Sequence, residues 1–409
     1  MISLFPKTLP ASEKVKDLLT MLLYASFIIF STDTMGVVYM VGLICLIYII
    51  HGCANGFSFP LHFEMFHKYM LWISLFCLLS ATWAFNSEYA IEKGITILEL
   101  FIAFTLLYEV YYNCSISRLL TIIMWSGFLL SVYVTLFVGV ENLRDTIDEA
   151  GRLENSFANV NVIGMCCSIS ILIVYNSWQK QRNVLDMIMC IPCLLIVAGS
   201  GSRKAFVMLI LGIVLLTLFK SDTGKKTKGI PKLFMILFSL ATLSIIVFFV
   251  ARSGVFGGTL DRMDGMIASL TGKGDIDSST MLRAYYREIG FHQFLETPII
   301  GIGMGNARVL ALRYSGYDCY LHCNYAEVAA SGGLIGLFLI YWIYIKLIRY
   351  EIRLYKYDSM AMIMLIFLVL NLILDYGKVS YYNKDTYFMI MVFCLHYESL
   401  RRGQYSLEQ

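Results

Sequence analysis

Apolar runs of about 17–25 residues recur along the chain, each long enough to cross about 30 Å of hydrocarbon as a helix. The pattern predicts about twelve such spans, with cores at 18–31, 35–50, 69–83, 95–112, 119–139, 161–178, 184–198, 205–219, 233–250, 333–348, 360–374 and 386–397. Several cores are shorter than a full crossing, which tilt, re-entrance or merging accommodates. The runs do not alternate with a period of two, so a membrane barrel is excluded and helices remain. The expected fold is an all-α polytopic integral membrane protein.

One interval breaks the series. Residues 251–331 are polar and hold most of the chemistry-bearing side chains. The chain therefore divides into spans 1–9 over residues 1–250, a large loop over 251–331, and spans 10–12 with a tail over 332–409. Lys180, Arg182, Lys220, Lys225, Lys226, Lys228 and Lys232 fall in connections on one side, as do Lys346, Arg349, Arg353, Lys356, Arg401 and Arg402. The positive-inside rule makes that side cytoplasmic, with both termini there, and makes the large loop extracytoplasmic. The lysine-rich stretch from Lys220 to Lys232 reads as a topology anchor near anionic lipid. No internal repeat is evident, which disfavours a transporter built from repeats.

Composition agrees. Charged residues make up 15% of the chain against about 25% in soluble domains, and mean hydropathy is +0.69. A net charge of +3 gives no reason to expect nucleic acid. The polar start from Met1 to Asp17 lacks a signal-peptide pattern, so the first helix is expected to be a retained anchor. Cys190 and Cys193 form a CxxC inside an apolar run, where thiols pack as small hydrophobes. Cys319 and Cys323 flank His322, where a disulfide or an incomplete metal ligand set is conceivable.

Three constellations could carry chemistry. The first runs Gly199-Ser-Gly-Ser-Arg203-Lys-Ala-Phe206, a tight turn opening a helix. A helix N-terminus with Arg203 suits a diphosphate, and a pair of cations reaching for headgroups is the other reading. The second runs from Ser278 to Pro298. Met281, Leu282, Tyr285, Ile289, His292 and Leu295 suggest an amphipathic helix on the membrane surface. Arg283 and Arg287 share a face and could hold a second phosphate, or pair with neighbours such as Glu288. The third runs Tyr320-Leu-His322-Cys-Asn324-Tyr-Ala-Glu327 into Gly332, Gly333 and Gly336. His322 is a candidate base, and the glycines suit helix packing. The run Gly301-Ile-Gly303-Met-Gly305-Asn306 lacks a strand–turn–helix context and reads as a structured turn rather than a nucleotide site. Asp275 and Asp277 read as a solvated turn.

As a set, these residues resemble the O-antigen polymerase and O-antigen ligase superfamily of bacterial surface-polysaccharide assembly. The Ser-Arg turn, the Arg-led helix, the Pro298-x-x-Gly-x-Gly turn and the His–Asn–Glu segment ending in Gly-Leu-Ile-Gly336 carry the likeness, with Gly151 to Asn161 ahead of the middle spans. The family often has His followed directly by Asn; here Cys323 intervenes.

The resemblance implies a metal-independent membrane glycosyltransferase without a cofactor, acting at the bacterial inner membrane. Its donor would be a glycan on undecaprenyl diphosphate. Arg203 and Arg283, with Arg287 assisting, would stabilise the leaving diphosphate. His322 would orient and deprotonate the acceptor hydroxyl, with Glu327 in reserve. The product would be O-antigen or capsular polysaccharide, with a chain-length regulator and a flippase as partners. A ligase joining the glycan to lipid A core is the alternative within the family, and a lipid-linked sugar transporter or flippase the alternative outside it.

Overall fold

A computed structural model describes residues 9–30, 34–57, 62–148, 153, 159–181, 184–219, 278–355 and 358–407. The expected span at 233–250, the Lys220–Lys232 stretch, Asp275, Asp277 and most of the Gly151–Asn161 segment lie outside them. Among the described residues every regular element is a helix. In chain order these are α1 (Ala11–Ile29), α2 (Thr34–Asn55), α3 (Met65–Ser80), α4 (Ser87–Tyr111), α5 (Ile116–Val138), α6 (Val140–Asp148), α7 (Val160–Gln181), α8 (Val184–Ile188), α9 (Ile191–Gly199) and α10 (Arg203–Leu218). They continue with α11 (Ser278–Glu296), α12 (Ala307–Ser315), α13 (Asn324–Leu354), α14 (Ser359–Leu374) and α15 (Lys384–Leu407).

Among the described residues four stretches are long and apolar enough to cross a membrane: Val38–Asn55, Ile116–Val138, Val160–Gln179 and Asn324–Leu354. Shorter apolar helices occupy Met65–Ser80, Asp186–Gly199 and Met360–Leu374. The protein is a helical integral membrane protein. The expected span at 184–198 is not one regular helix. Pro192 stands at the start of α9 and offers no N–H, so the ladder breaks after Ile188 and restarts. The buried thiol of Cys193 lies 3.6 Å from Ser131 Oγ, as a packed side chain rather than a redox pair.

The chain forms two compact units. The first takes residues 1–57, 114–267 and 351–370. Its described core is α7, packed by α5, α9 and α10. A Cβ on Gly164 of α7 would stand 2.8 Å from Ser200 Oγ, so glycine is what lets the α9–α10 turn approach. Charges are also interred here. Lys16 and Asp17 of α1 are 1% and 2% exposed. Arg118 of α5 forks onto Asp17 with two contacts of 2.7 Å and reaches Glu13 Oε2 at 2.8 Å. Lys16 pairs with Glu13 and lies 3.1 Å from His51 Nδ1 on α2. A buried carboxylate is tolerable only with such geometry, because the bidentate fork replaces lost water.

The second unit takes residues 58–113, 268–350 and 371–409. In it α3 packs on α4, and α15 packs on both. Local signals set these ends. Glu64 and His67 form a capping box before α3, and Asn86 Oδ1 accepts the Glu88 N–H at 2.9 Å before α4. The expected amphipathic helix exists as α11, but its predicted apolar stripe is divided. Ile289 is buried beside Tyr286, whereas Met281, Leu282, Tyr285 and Leu295 are exposed and His292 lies 3.5 Å from Glu296.

Candidate functional site

The Gly301–Asn306 run is a buried, structured turn in the second unit. Gly301, Gly303 and Gly305 have φ of 65°, 94° and 78°, a region closed to most side chains. A Cβ on Gly301 would stand 2.4 Å from the Ser331 carbonyl carbon. The turn stitches the α3–α4 connection to α13. Met304 N–H donates to Ser80 Oγ at 3.0 Å, Phe85 N–H to Ile302 O at 3.1 Å, and Ile302 N–H to Ala330 O at 3.0 Å. Asn86 N–H donates to Asn306 Oδ1 at 2.7 Å, and Asn306 Nδ2 donates to Asn86 O at 3.0 Å.

At Gly333 (φ 60°, ψ −155°) α13 kinks. The Leu334 and Ile335 N–H groups freed by the kink donate to Pro298 O and Ile299 O at 2.8 and 3.1 Å. The kink separates a short leading segment, 324–332, from the long apolar helix. That segment lies inside the interval expected as loop, and the turn holds it down.

His322 is not on a helix. It sits two residues before α13 with φ 59°, one of two described non-glycine residues at positive φ. Such a conformation costs about 1–3 kcal/mol and persists only where neighbours dictate it. Both sides of His322 are pinned. Upstream, Leu321 N–H donates to Glu327 Oε2 at 2.8 Å. Downstream, Asn324 is buried and fully engaged. Its backbone N–H meets Asp375 O at 2.8 Å and Lys378 O at 2.9 Å. Its Oδ1 accepts from Ser380 N–H at 2.9 Å and Tyr381 N–H at 3.1 Å. Its Nδ2 donates to Tyr341 OH at 2.7 Å and Asp375 Oδ2 at 3.3 Å. Tyr341 and Ser380 hydroxyls also donate to Asp375, at 3.0 and 2.7 Å. A hydrogen bond is worth about 0.5–1.5 kcal/mol net, so the Glu327 contact and the Asn324 set together offset the backbone strain.

The imidazole of His322, half-buried, stacks with Tyr286 of α11 at 6.0 Å and tilts against Tyr320 at 4.3 Å. Arg283, one turn before Arg287 on α11, acts by charge on the Tyr320 hydroxyl. Burial raises the Tyr320 phenol above its ordinary range, and the Arg283 charge opposes that rise. The Arg287 guanidinium lies 4.7 Å over the Tyr376 ring, so the pairing with Glu288 open in the sequence is replaced by a cation–π contact. The structure thus brings Arg283, Arg287, His322 and Glu327 to one region of the second unit. Glu327 is 3% exposed, and its contact is to Leu321 rather than to His322.

Cys319 and Cys323 are free thiols. Cys323 is packed with Tyr286, Leu321 and Ala326, and burial pushes its thiol up, which makes it a core residue. Among the described residues no three His, Cys, Asp or Glu side chains converge. Exposed Asp318 forks onto Arg308 at 2.6 Å, and that guanidinium holds its carboxyl below the usual range.

Arg203 belongs to the first unit. Ser200 and Ser202 are buried in the turn before it, and Ser202 Oγ accepts the Ala205 N–H at 3.4 Å as the α10 N-cap. Arg203 is therefore the first residue of a capped helix, half-buried, at its positive end. Sequence reasoning missed Asp375, Tyr341 and Ser380, which lie 17 to 56 positions from Asn324 with no motif to announce them.

No curated protein matches the chain. Residues 188–341 match the family described as O-antigen ligase. That stretch takes in Arg203 and its turn, α11 with Arg283 and Arg287, the Gly301–Asn306 turn, and His322 with its two pins. Over that stretch the chain is similar to the O-antigen ligase family, in agreement with the superfamily that its motif set resembles.

Proposed function

We propose that this protein polymerises oligosaccharide repeat units carried on undecaprenyl diphosphate, at the extracytoplasmic face of a bacterial inner membrane. The observation that carries the reading is His322. A half-buried imidazole held in a strained backbone state against Tyr286 and Tyr320 is an expensive arrangement for a merely structural residue.

In this reading His322 takes the proton from the acceptor hydroxyl as that oxygen attacks the anomeric carbon of the donor. The glycosidic bond to the lipid diphosphate breaks, and Arg283, assisted by Arg287, neutralises the charge that develops there. Arg203, at the capped N-terminus of α10, keeps the diphosphate-binding role that the family likeness implies. The guanidinium charges supply what a divalent cation supplies elsewhere. A chain-length regulator and a flippase are the expected partners, and the product is O-antigen or capsular polysaccharide.

A ligase would use the same donor and the same residues with lipid A core as acceptor, so the test must separate them. Purified protein in nanodiscs, given only synthetic undecaprenyl-diphosphate repeat unit, is expected to produce a ladder on a gel. Transfer that starts only when lipid A core is added identifies a ligase. No transfer in either case, with the substrate verified on a host preparation, overturns the reading and leaves a transporter. In the active protein, His322→Ala is expected to lower turnover about 10²–10⁴-fold and Arg283→Ala about 10²–10³-fold.

A further inference from the structure

We propose that Glu327 is a positioning residue, which holds His322 at its working height through the Leu321 backbone and takes no proton itself. The proposal rests on the reading of His322 as the group that orients the acceptor.

Glu327 is almost wholly buried, and Leu321 is fully so. A sugar hydroxyl on a polymer cannot reach a carboxylate at that depth, whereas the neighbouring imidazole is partly exposed. The contact made by Glu327 is specific: Oε2 takes the N–H of the residue immediately before His322 at 2.8 Å. The carboxylate also lies in the first turn of α13, where the helix N-terminus favours negative charge. On the other side Asn324 is fixed by Asp375 and the 378–381 backbone. Between the two anchors His322 stands at positive φ, φ 59°. On the side chain's own evidence, Glu327 fixes geometry; proton transfer belongs to His322.

The test compares Glu327→Ala, Glu327→Gln and His322→Ala in nanodiscs. Two readouts are needed: transfer kinetics with the lipid-linked repeat unit, and hydrogen–deuterium exchange of peptides covering 317–323. A glutamine oxygen still accepts an N–H but cannot serve as a base. Glu327→Gln is therefore expected within about threefold of the parent, while Glu327→Ala loses about 10²-fold in kcat with the donor KM unchanged. Exchange at Leu321 should quicken in Glu327→Ala and not in Glu327→Gln. A Glu327→Gln loss as deep as that of His322→Ala would make Glu327 a proton carrier and overturn the proposal. Parent-level turnover in Glu327→Ala, or unchanged exchange, would overturn it equally. If Glu327→Ala does not remain monodisperse, the comparison of Glu327→Gln with His322→Ala decides alone. If His322→Ala keeps the parent rate, the catalytic reading fails, and the exchange data still decide whether Glu327 holds the turn.

Discussion

Asn324 commits every polar atom it has to its own chain. Its Oδ1 serves two backbone donors and its Nδ2 two side-chain oxygens, all within 3.3 Å. The intervening Cys323 left open, on sequence grounds, which of His322 and Asn324 would make the hydrogen bonds. They divide the work: Asn324 is a buried latch, and His322 is the partly exposed group it presents. Removing the latch strands several buried donors and acceptors, each worth about 1–3 kcal/mol. Asn324→Ala is therefore expected to cost about 3 kcal/mol or more. The check is a shortened thermal half-life of the purified protein, with transfer lost in parallel. His322→Ala, by contrast, should keep the half-life while losing the chemistry. His322, Arg283 and Glu327 stand out in the sequence as ionisable side chains within one polar interval, which is local information. Asp375 and Tyr341 do not, because a residue 51 positions away leaves no local trace of the pairing.

Elements were legible wherever one rule governed them and illegible where two competed. Long apolar periods located α2, α5, α7 and α13 well. In the 184–198 run hydrophobicity argued for one span, while Pro192 argued for a break, and the backbone rule won. The start of α1 is the reverse case. Lys16 counts as a surface cation under a loop-charge rule, yet it is turned inward with Asp17, Glu13 and Arg118. The α1–α5 pairing should depend on that network. Arg118→Leu leaves Asp17 buried without its fork and is expected to destabilise by about 3–5 kcal/mol. Arg118→Leu with Asp17→Leu removes both charges and should recover much of the loss. Detergent-resistance half-lives of the two variants measure this, and equal half-lives would show that the ion pair carries no such weight.

At the scale of the whole molecule, hydropathy established a helical membrane protein, and the family match agrees with the motif set. Which side each unit's loops face follows from charge counting alone, and it can be measured. Gly316 ends α12 at φ 77° with open space around it. An epitope inserted after Gly316 should be tolerated and should bind antibody on spheroplasts without permeabilisation. One fused behind Leu407 should bind only after permeabilisation. The opposite labelling would invert the topology and move the proposed chemistry to the cytoplasm.

The stitched turn also imposes a schedule. Asn86 and Asn306 pair across 220 residues, and Asn324 waits a further 51 and 57 positions for Asp375 and Tyr381. At about 5–20 residues per second, the α3–α4 connection is made some 10–45 s before the segment that seals it leaves the ribosome. Throughout that interval the Asn86 backbone N–H is left for water, lipid headgroups or an insertion chaperone to satisfy, while the Ser80 hydroxyl keeps its local bond to Cys77 O. The α3–α4 connection therefore cannot take its final form until residues 302–331 and their partners near 375–381 have been made.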